Sequence, residues 1–136
     1  MIQIRKANLD DVKQIREIMV GFGLPASIFI TSSEDRIAEL IHQDNSYVCL
    51  ENGFMVGFLL VEDGDYIDTI CSTRNGVGKA LLKNLPSGRY EVNISDQNEK
   101  SRRLFGSLGF TFMRKEIVEG QERGRYEGYI GQGRTC

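Results

Sequence analysis

The stretch Ser72 to Leu82 reads Ser-Thr-Arg-Asn-Gly-Val-Gly-Lys-Ala-Leu-Leu and carries the residue types best suited to hold an anion. An apolar run, Tyr66 to Cys71, comes before it, and Val77, Ala80 and Leu81 follow at helical spacing. The pattern predicts a strand, a tight glycine turn and a helix start. Gly76 and Gly78 lack a Cβ, so the backbone can bend sharply and come close to a ligand. The unpaired N–H groups of the first helical turn, with the helix dipole behind them, suit a phosphate or pyrophosphate. Arg74 and Lys79 would add charge-assisted hydrogen bonds. Two phosphate motifs fail on this stretch. A P-loop aligned on Gly78-Lys79 needs glycine where Thr73 stands and a hydroxyl where Ala80 stands. A dinucleotide fingerprint needs a further glycine where Leu81 stands. A third candidate is a loop for the pyrophosphate of acetyl-CoA.

The downstream stretch Asn98 to Phe110 decides among them. It presents Asn98, a small residue at Ser101, an aromatic at Phe105, then Gly109-Phe110. With Arg74-Asn75-Gly76-Val77-Gly78 upstream, in that order and at that separation, the chain resembles the GNAT family of N-acetyltransferases. The specific residues lie between about Ile70 and Phe110, and the order of elements matches over nearly the whole chain. The resemblance implies one acetyltransferase-like domain over residues 1–136, of the α/β (α+β) class. Its sheet would be mixed and mostly antiparallel, with about six or seven strands and about four flanking helices.

The resemblance also implies a function. Acetyl-CoA would be the co-substrate, with no metal, and a primary amine would attack it directly in a ternary complex. The strand end Ile70, Cys71 and Ser72 would pair with pantetheine through its backbone, and an N–H there would polarise the thioester carbonyl. Arg74, Asn75, Gly76, Val77, Gly78 and Lys79 would hold the pyrophosphate. Asn98 would contact the co-substrate and cap its helix, Ser101 would face it, and Phe105 would pack beside the thiol end. The apolar segment Phe22 to Ile30 would lie over the acceptor pocket, giving Phe22 and Phe29 as acceptor contacts, with Tyr126 as another. The alternative is a module of the same fold that binds acetyl-CoA with little or no turnover and regulates a partner protein.

Two residues depart from the family pattern. Thr73 stands where the family usually has Gln or Arg, with Arg74 one place late. Phe105 stands where the family often has the tyrosine that protonates the leaving thiolate, and it has no proton to give. Ser101, Tyr126 and Tyr129 are candidate substitutes. Acyl transfer to an amine also needs a base. Asp68 and Tyr66 lie two apart on one strand and so share a face, which makes Asp68 the candidate base, set against a purely structural polar role. Cys71 could act as a nucleophile, but free cysteine mostly packs as a small hydrophobe. His42, at the end of a helix, reads as a solvated residue favoured by the dipole.

The elements that must position these groups follow from periodicity. Ile2 and Ile4 alternate with polar residues as a strand at about residues 2–6. Asn8, Asp10 and Asp11 cap a helix whose buried face is Val12, Ile15, Ile18, Met19 and Phe22, ended by Gly21, Gly23 and Pro25. Thr31, Ser32 and Ser33 before Glu34 and Asp35 give a capping-box pattern for a second helix, with Ile37, Leu40 and Ile41 inward. Tyr47 to Leu50 and Phe54 to Val61 flank Asn52-Gly53, a strong hairpin signal. Glu62 to Asp65 is a solvated turn, since it lacks the downstream glutamate of a calcium loop. Pro86-Ser87-Gly88 stops the helix begun at Val77, and Arg89 to Ser95 alternates as a strand. Ser101, Leu104, Phe105 and Leu108 form the stripe of the next helix, closed by Gly109. Phe110 to Val118 and Tyr126 to Ile130 are the last strands, about a turn at Glu119 to Glu122, and Gly131 to Cys136 is a frayed end.

Length and charge bound the rest. A chain of 136 residues is the size of one domain. A net charge of −2 argues against bulk nucleic-acid binding. Cys49, Cys71 and Cys136 form no CxxC pair and there is one histidine, so a metal site is not expected. Sparse cysteines and no apolar leader fit the cytoplasm, and no segment reaches membrane length. Expected partners are an amine acceptor of unspecified class, without membrane or nucleic acid, and a homodimer is compatible with the chain.

Overall fold

The computed structural model describes residues 1–21, 33–118 and 120–131. Phe22 and Phe29 lie outside the described residues, as do Pro25, Thr31 and Cys136. In chain order the elements are β1 (Ile2–Lys6), a 3-10 turn (Leu9–Asp11), α1 (Val12–Gly21), α2 (Glu34–His42), β2 (Tyr47–Glu51) and β3 (Phe54–Glu62). They continue with β4 (Tyr66–Ser72), α3 (Val77–Lys83), β5 (Gly88–Ser95), α4 (Glu99–Ser107), β6 (Thr111–Val118) and β7 (Gln121–Ile130). The strands form one seven-stranded sheet in the order β1-β2-β3-β4-β5-β7-β6. Among the described residues, only β4 and β5 run parallel, and every other pair is antiparallel.

Local chemistry explains the connections. The β2–β3 hairpin turns on Asn52 (φ 53°) and Gly53 (φ 86°), and the β3–β4 hairpin on Asp63 (φ 56°) and Gly64 (φ 82°). Both turns need two successive left-handed residues, which Asn-Gly and Asp-Gly supply at low strain. Parallel neighbours cannot be joined by a hairpin, so β4 reaches β5 by a crossover through α3.

The sheet is covered on both faces. On one, α1 and α2 bury Val12, Ile15, Met19, Ile37 and Leu40 against Val48, Phe58 and Leu60. On the other, Val77, Leu81, Leu82 and Phe105 from α3 and α4 pack on Leu59, Val61, Ile67 and Val92. β3 is therefore buried along almost its whole length, as its unbroken apolar run requires.

Two expectations need correction. Ser33 caps α2, accepting from the Arg36 N–H at 3.1 Å. The reciprocal half of a capping box would need an acid where Arg36 stands. The full box is at the 3-10 turn before α1, where Asn8 and Asp11 exchange bonds. The last strand begins at Gln121, five residues earlier than Tyr126. Its first half carries charges in both phases and so hides the strand period: Arg123 faces Glu116 in register, and Arg125 bonds Glu91 at 2.6 Å.

Candidate active site

The sheet opens at its one parallel junction. β4 pairs with β3 from Tyr66 to Ser72, but with β5 only at Tyr66–Glu91 and Ile67–Val92. Beyond Ile67, the β5-facing edge of β4 has no strand partner. The cause lies in the β3–β4 register, where Val61 faces Ile67 and Leu60 faces Thr69. Asp68 is thus an extra residue, and such a bulge bends its strand and re-aims a side chain. A cavity of about 820 Å³ fills the gap between Tyr66–Cys71 of β4 and Val92–Ser95 of β5. Asn98, Ser101 and Phe105 of α4 close one side and Arg123 of β7 another.

The glycine turn lies at the open end of this gap. Gly76 adopts φ 86° at the start of α3, and nothing lies within 4 Å of where its Cβ would be. The bend is therefore open. Gly78 has a packing role as well. A Cβ there would meet Leu104 of α4 at 3.2 Å and Ile70 at 3.8 Å, so it lets α3 and α4 pack closely. Val77 is buried against Gly57, where an added Cβ would come within 2.7 Å of Val77 Cγ1. Arg74 reaches back to Glu51 at 3.1 Å yet stays mostly exposed, and Lys79 is exposed. Asn98 caps α4 by accepting from the Ser101 N–H at 3.1 Å.

A second cavity of about 670 Å³ adjoins the first from the α2 side of the sheet. Tyr66, Asp68, Asn93 and Val118 line both. Acids outnumber bases in its lining: Glu39, Glu62, Asp63, Asp65, Asp68 and Glu116 against Arg36 and Arg125. Asp68 is nearly buried, accepts from the Thr69 hydroxyl at 2.8 Å and lies 3.4 Å from an Arg36 nitrogen. Arg36 is shared, with Glu62 at 3.0 Å and Glu39 at 3.2 Å. Burial pushes the Asp68 carboxyl above the usual carboxylate range, and Thr69 and Arg36 pull it back only partly. The Tyr66 phenol is likewise raised, chiefly by burial.

The structure thus gathers Asp68, Ile70, Cys71, Asn98, Ser101 and Phe105 about one cavity. Ser72, Arg74, Asn75, Gly76, Val77, Gly78 and Lys79 follow along the chain from its end. Phe105 is fully buried, edge-on to Phe110 with ring centroids 5.1 Å apart, as well as lining the cavity. Tyr126 lines neither cavity and stacks edge-on to Phe112 at 5.6 Å. Tyr129 is exposed on the same strand. Burial drives the Cys71 thiol up to about 12, which removes it as a nucleophile near neutrality. His42 is exposed. Sequence reasoning passed over Arg36 and Asn93. Arg36 reads as a solvated helix residue opposite Glu39. Asn93 reads as the polar phase of β5.

No protein-family model matches the chain, and no curated protein sequence does. Solved structures do match in fold. The Ard1 structure from Thermoplasma volcanium superposes with a TM-score of 0.78 at 15% identity, covering 96% of this chain and 99% of that one. A GNAT-family acetyltransferase from Bacillus cereus gives a TM-score of 0.75 at 19% identity, covering 97% and 99%. The yncA putative acetyltransferase of Salmonella typhimurium, with acetyl-CoA, gives 0.72 at 20% identity, covering 100% and 98%. Over nearly its whole length, this chain has the fold of the GNAT acetyltransferases.

Proposed function

We propose that the protein transfers the acetyl group of acetyl-CoA to a primary amine, by direct attack within a ternary complex. The observation that carries this reading is the parted β4–β5 edge, where pairing stops at Ile67–Val92 and a cavity takes its place. A bare strand edge is a row of unpaired donors and acceptors. It suits an extended, amide-bearing arm such as pantetheine. Two buried polar atoms that line the gap, Asn93 Oδ1 and Arg123 Nε, have no protein partner and can serve the same arm. The open bend at Gly76, with Arg74 and Lys79 beside it, supports the diphosphate at the far end. Backbone N–H groups of Ile70 to Ser72 would hold the thioester carbonyl, and Asn98, Ser101 and Phe105 would flank the arm.

The acceptor enters from the second cavity. Its acid-rich lining draws a protonated amine, and Asp68, common to both cavities, takes the proton that the nitrogen loses. A carboxylate whose proton affinity is raised by burial is the better base near neutral pH. No helix among the described residues is long and apolar enough to cross a membrane. Free thiols at Cys49 and Cys71 fit a reducing compartment, and we place the activity in the cytoplasm.

Thermal denaturation with added acetyl-CoA tests the first half of this reading. At about a hundred times Kd, binding adds about 2.7 kcal/mol, or about 10 °C in Tm for a domain of this size. Ser101→Trp, which fills the cavity from the α4 side, abolishes the shift. A shift that survives Ser101→Trp contradicts the assignment. Thiol release with spermidine, a peptide with a free N-terminus, and lysine tests the second half. Binding without release on every amine favours the regulatory module instead, the reading for which Phe105 speaks.

A further inference from the structure

The acyl-transfer reading leaves one proton without a source. The departing sulfur must be protonated, and Phe105 offers only a buried ring packed against Phe110. We propose that Tyr66 supplies that proton. The inference rests on the acyl-transfer reading and assigns it a residue on β4 rather than on α4.

Four observations meet at Tyr66. Its side chain lines both cavities, at the last β4–β5 pair before the strands part. An arm entering from the Gly76 end along β4 has its reactive end where the gap closes, which is at this residue. The hydroxyl oxygen accepts from Asn93 Nδ2 at 2.9 Å. With its oxygen occupied as acceptor, Tyr66 has its own proton free to donate. The ring is held in place by Arg125, whose guanidinium carbon lies 4.8 Å from the ring centre. Arg125 is in turn fixed by Glu91 at 2.6 Å and Glu116 at 3.4 Å.

The amine first loses its ammonium proton to water, and its lone pair then forms the C–N bond to the acetyl carbon. The C–S bond breaks, and its electron pair stays on sulfur. Tyr66 Oη–H gives its proton to that sulfur. Asp68 takes the proton lost by nitrogen and returns it to the Tyr66 phenolate; both side chains line the two cavities. A thiolate is a weaker base than a phenolate by about 1.5 pK units. Transfer to sulfur is therefore uphill by itself, and it is completed by Asp68, which returns a proton to the phenolate as it forms. The charged groups facing it are Asp68, Arg123 and Arg125, and burial keeps the phenol protonated through the neutral range.

Tyr66→Phe keeps the ring and its contact with Arg125 and removes only the hydroxyl. With whichever probe amine turns over, thiol release falls about a hundredfold, while the acetyl-CoA thermal shift is unchanged. Acetyl-seleno-CoA separates proton donation from positioning, because a selenolate leaves without needing a proton. On that donor the defect shrinks to less than about threefold. A second readout needs no turnover. The thiol pKa of bound CoA, followed by thiolate absorbance, rises by about one unit in Tyr66→Phe, because the donor to the thiolate is gone. Equal defects on both donors, or an unchanged thiol pKa, overturn the assignment of Tyr66 and leave the acyl-transfer reading standing. A wild-type protein that binds acetyl-CoA and releases thiol with none of the amines overturns both.

Discussion

Two buried carboxylates, each beside an arginine, have opposite properties. Asp11 receives Arg5 in a two-pronged contact, 2.8 Å and 3.0 Å, and also accepts the Asn8 N–H at 2.8 Å. Burial alone would raise its pKa, but those bonds outweigh burial and hold it below the usual carboxylate range. Asp68 is as little exposed but lies deeper among protein atoms, and its arginine lies 3.4 Å away and is divided among three acids. There burial wins and the pKa rises. The first site spends its charge on holding β1 to the start of α1. The second keeps proton affinity in reserve, beside two cavities. Satisfaction of the charge, together with depth, separates the structural carboxylate from the reactive one.

The strongest way to break this comparison is to remove each charge in turn. Asp68→Asn lowers kcat by about 10²- to 10⁴-fold, the usual range for a general base. Its Tm does not fall below wild type, because a strained charge has been removed. Asp11→Asn does the reverse: stability drops by about 2 kcal/mol, less than for a fully buried pair because Arg5 can find water, and kcat is kept. Urea unfolding and thiol release on the two variants measure both quantities. If Asp11→Asn loses as much activity as Asp68→Asn, the division of roles fails.

Linkage gives a second effect, of middle size. Asp11, depressed in the fold, stabilises above its unfolded pKa, and that stability is lost as pH falls through the folded value. Asp68, raised in the fold, has the opposite sign. Its contribution is full below the unfolded pKa and is lost as pH rises through the folded value. Melting curves from about pH 3 to about pH 7 therefore flatten on the acid side in Asp11→Asn and on the rising side in Asp68→Asn. The same change in both variants would show that the two groups share one environment.

These distinctions were only partly written in the sequence. The hairpins at Asn52-Gly53 and Asp63-Gly64 were legible because turn chemistry is local, and so was the order of elements around the glycine bend. The Asn98, Ser101 and Phe105 spacing pointed to one face of one helix, and all three line the cavity. The tightly satisfied Asp11 could be seen as a cap but not as a partner of Arg5, because that contact crosses between elements. Asp68 showed as a carboxylate on a strand. Its bulge was invisible, because a bulge is a property of the pairing with β3. Arg36, Asn93 and Arg125 came to the site from other elements through long-range register, which no local period encodes. β7 escaped in its first half because Gln121 to Arg125 carries ion-pairing residues in place of an apolar phase.

The finest test acts on the arginines and leaves both carboxylates intact. Arg36→Gln removes the cation facing Asp68 while keeping a polar side chain of similar length. Glu62, which also pushes the Asp68 pKa upward, is then opposed only by the Thr69 hydroxyl. An opposite charge at such a distance lowers a carboxyl pKa by one unit or more, and here it is shared, so its loss raises Asp68 by about one unit at most. If the ionised Asp68 is the base, the acid limb of the kcat profile moves to higher pH by that amount, and the plateau rate changes little. Arg5→Gln, the matching change at Asp11, leaves the profile where it was and lowers Tm instead. A limb that stays fixed in Arg36→Gln would mean that the titrating group is the amine or another residue, and Asp68 would return to the structural class that Asp11 defines.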